Sequence, residues 1–218
     1  MILRIIFFLT LCLSLVAIGN AQDYPYVFVF LNSRTDKAEL PKGELDELMK
    51  GHLANIERLA KEGKLLVAGP FEGGGGIFIF KSQSVDQVKE WLSTDPGVRA
   101  ERWLIEILPY KPQVGNVCTA KEPYEMVTYQ FIRFESVITK FSVHHASESF
   151  EKHNQFVKDL AETGNVVTAG VFANQDGAIL LMKGEIEPSL VEANPAVKDG
   201  LLRPSFKKLG VAKGSFCE

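Results

Sequence analysis

The feature that most constrains the fold of this chain is an internal repeat. Residues 52–71 align with residues 153–172 at an offset of 101. Further along, residues 96–98 align with 195–197 at an offset of 99, which indicates a two-residue deletion between the two blocks. Such self-similarity predicts two tandem copies of one supersecondary unit. The identical residues of the first block are His52, Leu59, Ala60, Gly63, Ala68, Gly69 and Phe71, which match His153, Leu160, Ala161, Gly164, Ala169, Gly170 and Phe172.

Each copy predicts the order strand, helix, strand, strand, helix, strand. In the first copy, β-branched and aromatic runs predict strands over 26–31, 65–71, 77–80 and 103–108. Apolar residues at helical spacing predict a helix over 44–62, and Ser84 with Gln87 is typical of a capping box that opens a second helix through Leu92. The second copy predicts strands over 125–134, 165–172, 178–182 and 204–209, and helices over 147–163 and 188–193.

These elements predict an α+β fold with helices on one face of an antiparallel sheet. A single copy would leave the other face of its sheet bare and apolar. Two fused copies can pack these sheets face to face, so a compact pseudo-dimer within one chain is expected. We place the first unit at 22–110, a linker rich in Pro and Gly at 111–123, and a second, divergent unit at 124–218.

Residues 1–21 are typical of a signal peptide. A basic start is followed by an apolar run and by small residues at a cleavage site, so the mature chain is expected to begin at Gln22. The apolar run is shorter than the roughly 20 residues that span a bilayer, and a retained anchor is the weaker alternative. We therefore expect a secreted or periplasmic protein with no stable membrane insertion once the signal is removed.

The composition gives no electrostatic reason to expect binding to nucleic acid. The formal net charge is −3, the pI is near 5.9, and no cluster of Lys or Arg is present. Hydrophobic residues make up 46% and charged residues 23%, which is the balance of an ordinary globular protein.

Two cysteines occupy equivalent positions in the copies. Cys118 and Cys217 are 99 residues apart, which is the offset of the later part of the repeat. Export would allow a disulfide to persist. The residues alone leave two alternatives, a bridge across the pseudo-two-fold axis or two free thiols.

His52 is the main candidate for chemistry. It lies on the apolar stripe of the first helix, where a lone histidine is usually a core residue bonded to backbone. Asp95 favours a catalytic role for His52 over a purely structural one, because Pro96 holds Asp95 in an extended conformation just after the second helix. A carboxylate there can orient the imidazole and stabilise its protonated form, which makes a general acid/base pair. The second copy has His153 but places Asn194 where Asp95 stands, so it is expected to be structural or ligand-binding.

Other motifs favour ordinary structural roles. The glycine run 73–76 is followed by no Lys-Ser/Thr and opens no helix, so it predicts a hairpin and not a phosphate loop. We expect no metal site, because the spacing of His144, His145 and His153 is poor for binding one metal ion together.

The run from His52 through Gly63 to Ala68-Gly69-Pro70, followed by Asp95-Pro96, resembles the YciI-like (YCII-related) family of the dimeric α/β-barrel superfamily. The resemblance is good over 26–110 and weaker over 125–209. It implies two ferredoxin-like βαββαβ units with their sheets face to face, and an active site at His52 and Asp95. A family member eliminates hydrogen chloride from a chlorinated hydroquinone, and relatives in the superfamily include muconolactone isomerases and monooxygenases. The second copy departs from the family pattern at Val171 and Asn194.

The resulting hypothesis is a cofactor-free lyase or isomerase acting on a small organic molecule. Its alternative is a non-catalytic small-ligand-binding or scaffold protein of the cell envelope. Ligand-binding candidates beside the pair are Gly69, Pro70, His153 and Asn194. The sequence leaves open whether two such barrels associate as a homo-oligomer.

Overall fold

The computed structural model describes residues 24–137 and 143–217. The first repeat contains β1 (Tyr26–Ser33), α1 (Lys42–Lys61), β2 (Leu65–Pro70), β3 (Gly76–Phe80), α2 (Val85–Leu92), α3 (Pro96–Arg99) and β4 (Trp103–Val114). The second contains β5 (Met126–Ser136), α4 (Val143–Ala161), β6 (Val166–Phe172), β7 (Ala178–Met182), α5 (Pro188–Glu192), α6 (Pro195–Lys198) and β8 (Leu202–Ala212). The expected signal peptide lies outside the described residues. In the part of the chain that is described, no helix is long and apolar enough to cross a bilayer.

The predicted α+β architecture of two tandem βαββαβ units is confirmed. All eight strands form one antiparallel sheet in the order β2-β3-β1-β4-β6-β7-β5-β8. The outer strands β2 and β8 meet through an antiparallel bridge between Phe71 and Leu209, which closes the sheet into a barrel. The two four-stranded sheets therefore face each other across a shared interior.

Alternation along each strand divides the apolar residues into three clusters. On β1, Phe28 and Phe30 point into the barrel while Val27 and Val29 point toward the helices. The interior is filled by aromatic and aliphatic side chains from both repeats, including Tyr110, Phe131, Phe172 and Leu181. Two separate clusters lie outside the barrel, one under the helices of each repeat.

The two repeats meet along two edges of the barrel, β4 against β6 and β2 against β8, which we call the first and second seams. The duplication makes these two seams equivalent. At the first seam β4 pairs with β6 through a ladder that begins at Tyr110 and Phe172. At the second seam the corresponding pair is Leu209 and Phe71. Pro70 occupies the place of Val171, and it has no backbone N–H to donate. The second seam is correspondingly held by the isolated bridge and a hydrogen bond from Glu72 N to Lys208 O (2.9 Å).

The structure extends two of the predicted elements. Residues 111–114 belong to β4 and not to the linker, because this end of the strand pairs with β6 of the other repeat. The helix expected from residue 147 begins at Val143.

The prediction of a single two-residue deletion between the two aligned blocks was wrong. Gly76 pairs with Leu31 in the first repeat as Ala178 pairs with Phe134 in the second, so β3 and β7 correspond at an offset of 102. The loop between β6 and β7 is therefore one residue longer than its counterpart, and three residues are lost after β7.

The capping box is half formed. Ser84 Oγ accepts from Gln87 N (3.2 Å), as predicted, but the Gln87 side chain binds Ser82 Oγ (2.8 Å). Ser82 in turn accepts from Ser84 N (3.0 Å), so a serine hydroxyl bridges the two halves of the motif. The glycine run 73–76 joins β2 to β3 as a hairpin.

Cys118 and Cys217 are bonded to each other, with their Cα atoms 5.4 Å apart. Beside the bond, Val117 and Phe216 form a bridge, and the backbone N–H of each cysteine donates to the opposite segment. The disulfide thus joins the segments that follow β4 and β8, at the ends of the two repeats.

Gly69→Ala is expected to lower the free energy of unfolding by about 1–3 kcal/mol through overpacking. A Cβ atom at this position would lie 2.5 Å from Gly210 O and 2.6 Å from Val211 Cγ1, across the second seam. Gly43→Ala is the matched control, since nothing beyond its chain neighbours and the backbone of its own helix lies within 4 Å of a Cβ there, and alanine favours the helix. Urea unfolding of both variants measures the difference, and equal stabilities would contradict the prediction.

Candidate functional site

Asp95 caps the one-turn helix α3. Its Oδ1 accepts hydrogen bonds from Gly97 N (2.8 Å) and Val98 N (3.2 Å), while Pro96 takes the first helical position, where no N–H is needed. The side chain is 1% exposed. Because the cap uses only one carboxylate oxygen, Oδ2 is directed away from the helix and is available to another partner.

That partner is His52. On the buried face of α1, His52 Nδ1 lies 2.8 Å from Asp95 Oδ2. Asn55, one turn further along the same face, donates from Nδ2 to the same oxygen (3.3 Å). Three of these partners, Gly97 N, Val98 N and Asn55 Nδ2, are donors, which suits an ionised carboxylate. An ionised carboxylate only accepts, so His52 Nδ1 is assigned as the fourth donor. Since Nδ1 donates to Oδ2, the neutral imidazole carries its proton on Nδ1 and presents Nε2 as an acceptor.

A polar network extends from this pair. Asn55 Oδ1 accepts from Arg58 Nη2 (2.8 Å) and from Thr94 Oγ1 (2.9 Å). Sequence reasoning missed these three residues, although the spacing of His52 and Asn55 by three places both on one helical face. The second repeat has Phe156, Asp159 and Ala193 in their places, so the network belongs to the first repeat alone.

Aromatic rings enclose His52. Its ring centroid lies 4.8 Å from that of Trp103 and 6.0 Å from that of Phe78. The imidazole side chain is 8% exposed. The His52–Asp95 pair is therefore largely closed to solvent.

The second repeat builds the same position without a charge. Asn194 caps α6, and its Oδ1 accepts from Ala196 N (3.0 Å). This bond fixes the amide orientation, so Nδ2 faces His153 Nδ1 at 2.7 Å and must donate to it. The proton of the neutral imidazole is then on Nε2, the opposite tautomer to that of His52. Burial lowers the pKa of His153 below its ordinary value, an effect that the hydrogen bond with Asn194 partly opposes.

The two histidines are expected to show opposite tautomers in ¹⁵N NMR of the imidazole nitrogens. The proton should reside on Nδ1 in His52 and on Nε2 in His153, because one faces a carboxylate and the other an amide N–H. Asn194→Asp should move the His153 proton to Nδ1. The same tautomer at both sites in the unmodified protein would contradict these hydrogen-bond assignments.

His153 is expected to make stability depend on pH. Because its folded-state pKa lies below the ordinary 6.5, its contribution is complete above that value and is lost as the pH falls below it. The slope for one proton is at most about 1.4 kcal/mol per pH unit. His153→Gln should flatten this dependence in urea unfolding, and His145→Gln is the control substitution at an exposed position. Parallel pH profiles for all three proteins would contradict the prediction.

The other candidate binding residues lie at the seams. Gly69 and Gly170 occupy equivalent positions where one repeat meets the other, and a Cβ on Gly170 would lie 2.5 Å from the Tyr110 ring. Pro70 follows Gly69 in the second seam. Within 24–137 and 143–217, no three His, Cys, Asp or Glu side chains are grouped to hold a metal ion.

Two cavities lie on the helical side of the sheet. One of about 480 Å³ lies between α1, β2 and the segment 119–126, with apolar walls that include Leu53, Ala68 and Met126. The other, of about 280 Å³, has His153 in its wall. His52 and Asp95 line neither of them.

Comparison with known families matches residues 27–112 to the YCII-related domain. The match runs from β1 into β4 and includes both His52 and Asp95. The first repeat is a YCII-related domain. The second repeat lies outside the YCII match but has the same order of elements. No curated protein shows a significant match to the chain.

Solved structures share the fold of the whole chain. A chlorite dismutase from Candidatus Nitrospira defluvii, solved with imidazole, is 16% identical, and the alignment covers 87% of this chain and 91% of that one with a TM-score of 0.51. A second protein assigned as a chlorite dismutase is 8% identical, with 88% and 94% covered and a TM-score of 0.52. At these identities the likeness concerns the dimeric α/β-barrel fold alone.

Proposed function

We propose that this YCII-related protein is a cofactor-free enzyme that moves a proton on a small organic molecule, as a lyase or an isomerase. The observation that carries the proposal is the 2.8 Å contact between His52 Nδ1 and Asp95 Oδ2. Asp95 orients the imidazole and stabilises its charged form. His52 Nε2 accepts the substrate proton and returns it.

The unequal repeats support assigning the chemistry to the first one. Imidazolium formation is stabilised by a carboxylate but not by a neutral amide, and Asn194 replaces the carboxylate in the second repeat. Asn55 also holds the Asp95 carboxylate in place through a hydrogen bond, and Arg58 and Thr94 in turn hold the side chain of Asn55.

The test is exchange of carbon-bound hydrogen for solvent deuterium in a panel of enolisable lactones and cyclic ketones, followed by ¹H NMR. We expect accelerated exchange with at least one compound, and a loss of roughly 10²–10⁴-fold in His52→Gln and Asp95→Asn. His145→Gln is the matched control at an exposed histidine. Exchange that survives in both site variants would contradict the assignment.

A non-catalytic binding protein is the second candidate. It is favoured by the enclosure of His52, whose side chain is 8% exposed and packs against Trp103. A substrate reaches Nε2 only if Trp103 or a neighbour moves. Under this alternative, no compound exchanges at any rate above background, and His52→Gln alters stability alone.

We also propose that the protein is exported. The pattern of residues 1–21 and the disulfide, which persists in oxidising compartments, support this location. N-terminal sequencing of the protein recovered from its producing cells should begin at Gln22. A chain that still begins at Met1 would contradict cleavage.

A further inference from the structure

The cavity beside His153 is separate from the His52–Asp95 pair. It has a volume of about 280 Å³ and lies between α4 and strands β6, β7 and β8. Tyr24 and Gln113 of the first repeat complete its wall, so the site depends on both halves of the chain. This volume suits a molecule of fragment size, at the lower end of ligand pockets in proteins.

One difference between the repeats lies at this opening. Trp103 begins β4 opposite Ser33, and Leu202 begins β8 opposite Ser136, so the two residues occupy equivalent places. In the first repeat the indole packs against the imidazole at 4.8 Å. In the second repeat the smaller Leu202 and His153 both line the cavity.

The polar groups of the cavity are uncharged. Besides His153 they are Tyr24, Gln113, Asn154 and Asn174, and no Lys, Arg, Asp or Glu is among its described lining residues. The apolar part of the wall includes Phe150 and Val171. Asn194 holds the imidazole through Nδ1, which leaves the Nε2–H as the donor on the ring edge away from α6. A buried carboxylate ligand would find no cation to pair with here.

We propose that this cavity binds a neutral, cyclic or aromatic molecule that bears a carbonyl oxygen, with the His153 Nε2–H as donor to that oxygen. The ring packs against the apolar wall. The inference does not require catalysis by His52, because His52 is not among the residues that line this cavity.

The test is an NMR titration of the ¹⁵N-labelled protein with benzamide and, separately, with benzoate. Benzamide should give saturable shifts at His153 and Asn154 and should bind at least 10-fold more tightly than benzoate, whose charge is uncompensated. Leu202→Trp places the first repeat's residue in the cavity and should abolish the benzamide shifts. Leu202→Phe serves the same purpose if the tryptophan variant does not fold.

Three outcomes would overturn the proposal. The first is equal affinity for the two probes, and the second is benzamide binding that persists in a folded cavity-filling variant. The third is a set of benzamide shifts centred on His52, or no benzamide shifts at all. Because the readout is binding at His153, it is distinct from the deuterium-exchange assay of the first repeat.

Discussion

Asp95→Ala is expected to lower the free energy of unfolding by about 3–5 kcal/mol, because several buried donors lose their ionised acceptor at a cost of about 1–3 kcal/mol each. Its carboxylate accepts from His52, Asn55 and two backbone N–H groups at the start of α3. Alanine removes all of these acceptors and leaves the donors in an environment where the replaced side chain was 1% exposed. Urea unfolding at neutral pH measures the loss.

Asn194→Ala is the matched control from the second repeat. It removes an equivalent cap and one hydrogen bond to a histidine, but both partners are neutral. A smaller loss of about 1–2 kcal/mol is expected. Equal losses for the two variants would show that the charge of Asp95 contributes nothing to the fold.

Asp95→Asn separates orientation from charge. The amide oxygen can still cap α3, which directs Nδ2 toward His52 and Asn55. Asn55 Nδ2, now 3.3 Å from the carboxylate, would then face another donor. We therefore expect the variant to lose both catalysis and stability, even though the second repeat tolerates asparagine, because Phe156 replaces Asn55 there.

The second large effect concerns the disulfide. Replacing both Cys118 and Cys217 with alanine is expected to lower the free energy of unfolding by about 2–5 kcal/mol. The bond joins positions 99 residues apart and so restricts the unfolded chain over the whole second repeat. Denaturant unfolding of the double variant, with and without reductant, provides the measurement.

The unmodified protein supplies the control for this experiment. Its stability in reductant should fall to that of the double variant, whereas the double variant should not respond to reductant. An unchanged stability after complete reduction, verified by thiol titration, would contradict a contribution from the bond.

Most of the elements were predictable because their signals are local. Alternation in β1 and helical spacing in α1 reflect the burial of one face of each element, and the structure places both within a few residues of the prediction. The carboxyl end of β4 was not predictable. Pro109 and Pro112 are typical of a linker, and only pairing with β1 and β6 draws them into a strand.

The candidate site was predictable in part. The position of Asp95 before Pro96 and the family resemblance both predicted that Asp95 pairs with His52, and the structure places them in contact. From the sequence, Asp95 was placed just after the second helix of the first repeat. The structure shows that it is also the N-cap of α3. An Asp-Pro pair at the first positions of a helix was the available signal. Trp103 covers His52, whereas Leu202 lines the cavity beside His153. Both features depend on how strands pack against helices, which cannot be predicted from a local sequence pattern.

The single-chain barrel has a consequence for how its two sites can change. In a barrel made from two identical chains, two-fold symmetry copies every substitution into both halves. Here each half is encoded separately, so Asn194 and Leu202 can surround one histidine while Asp95 and Trp103 surround the other. Fusion thus allows the surroundings of His52 and His153 to differ within one chain.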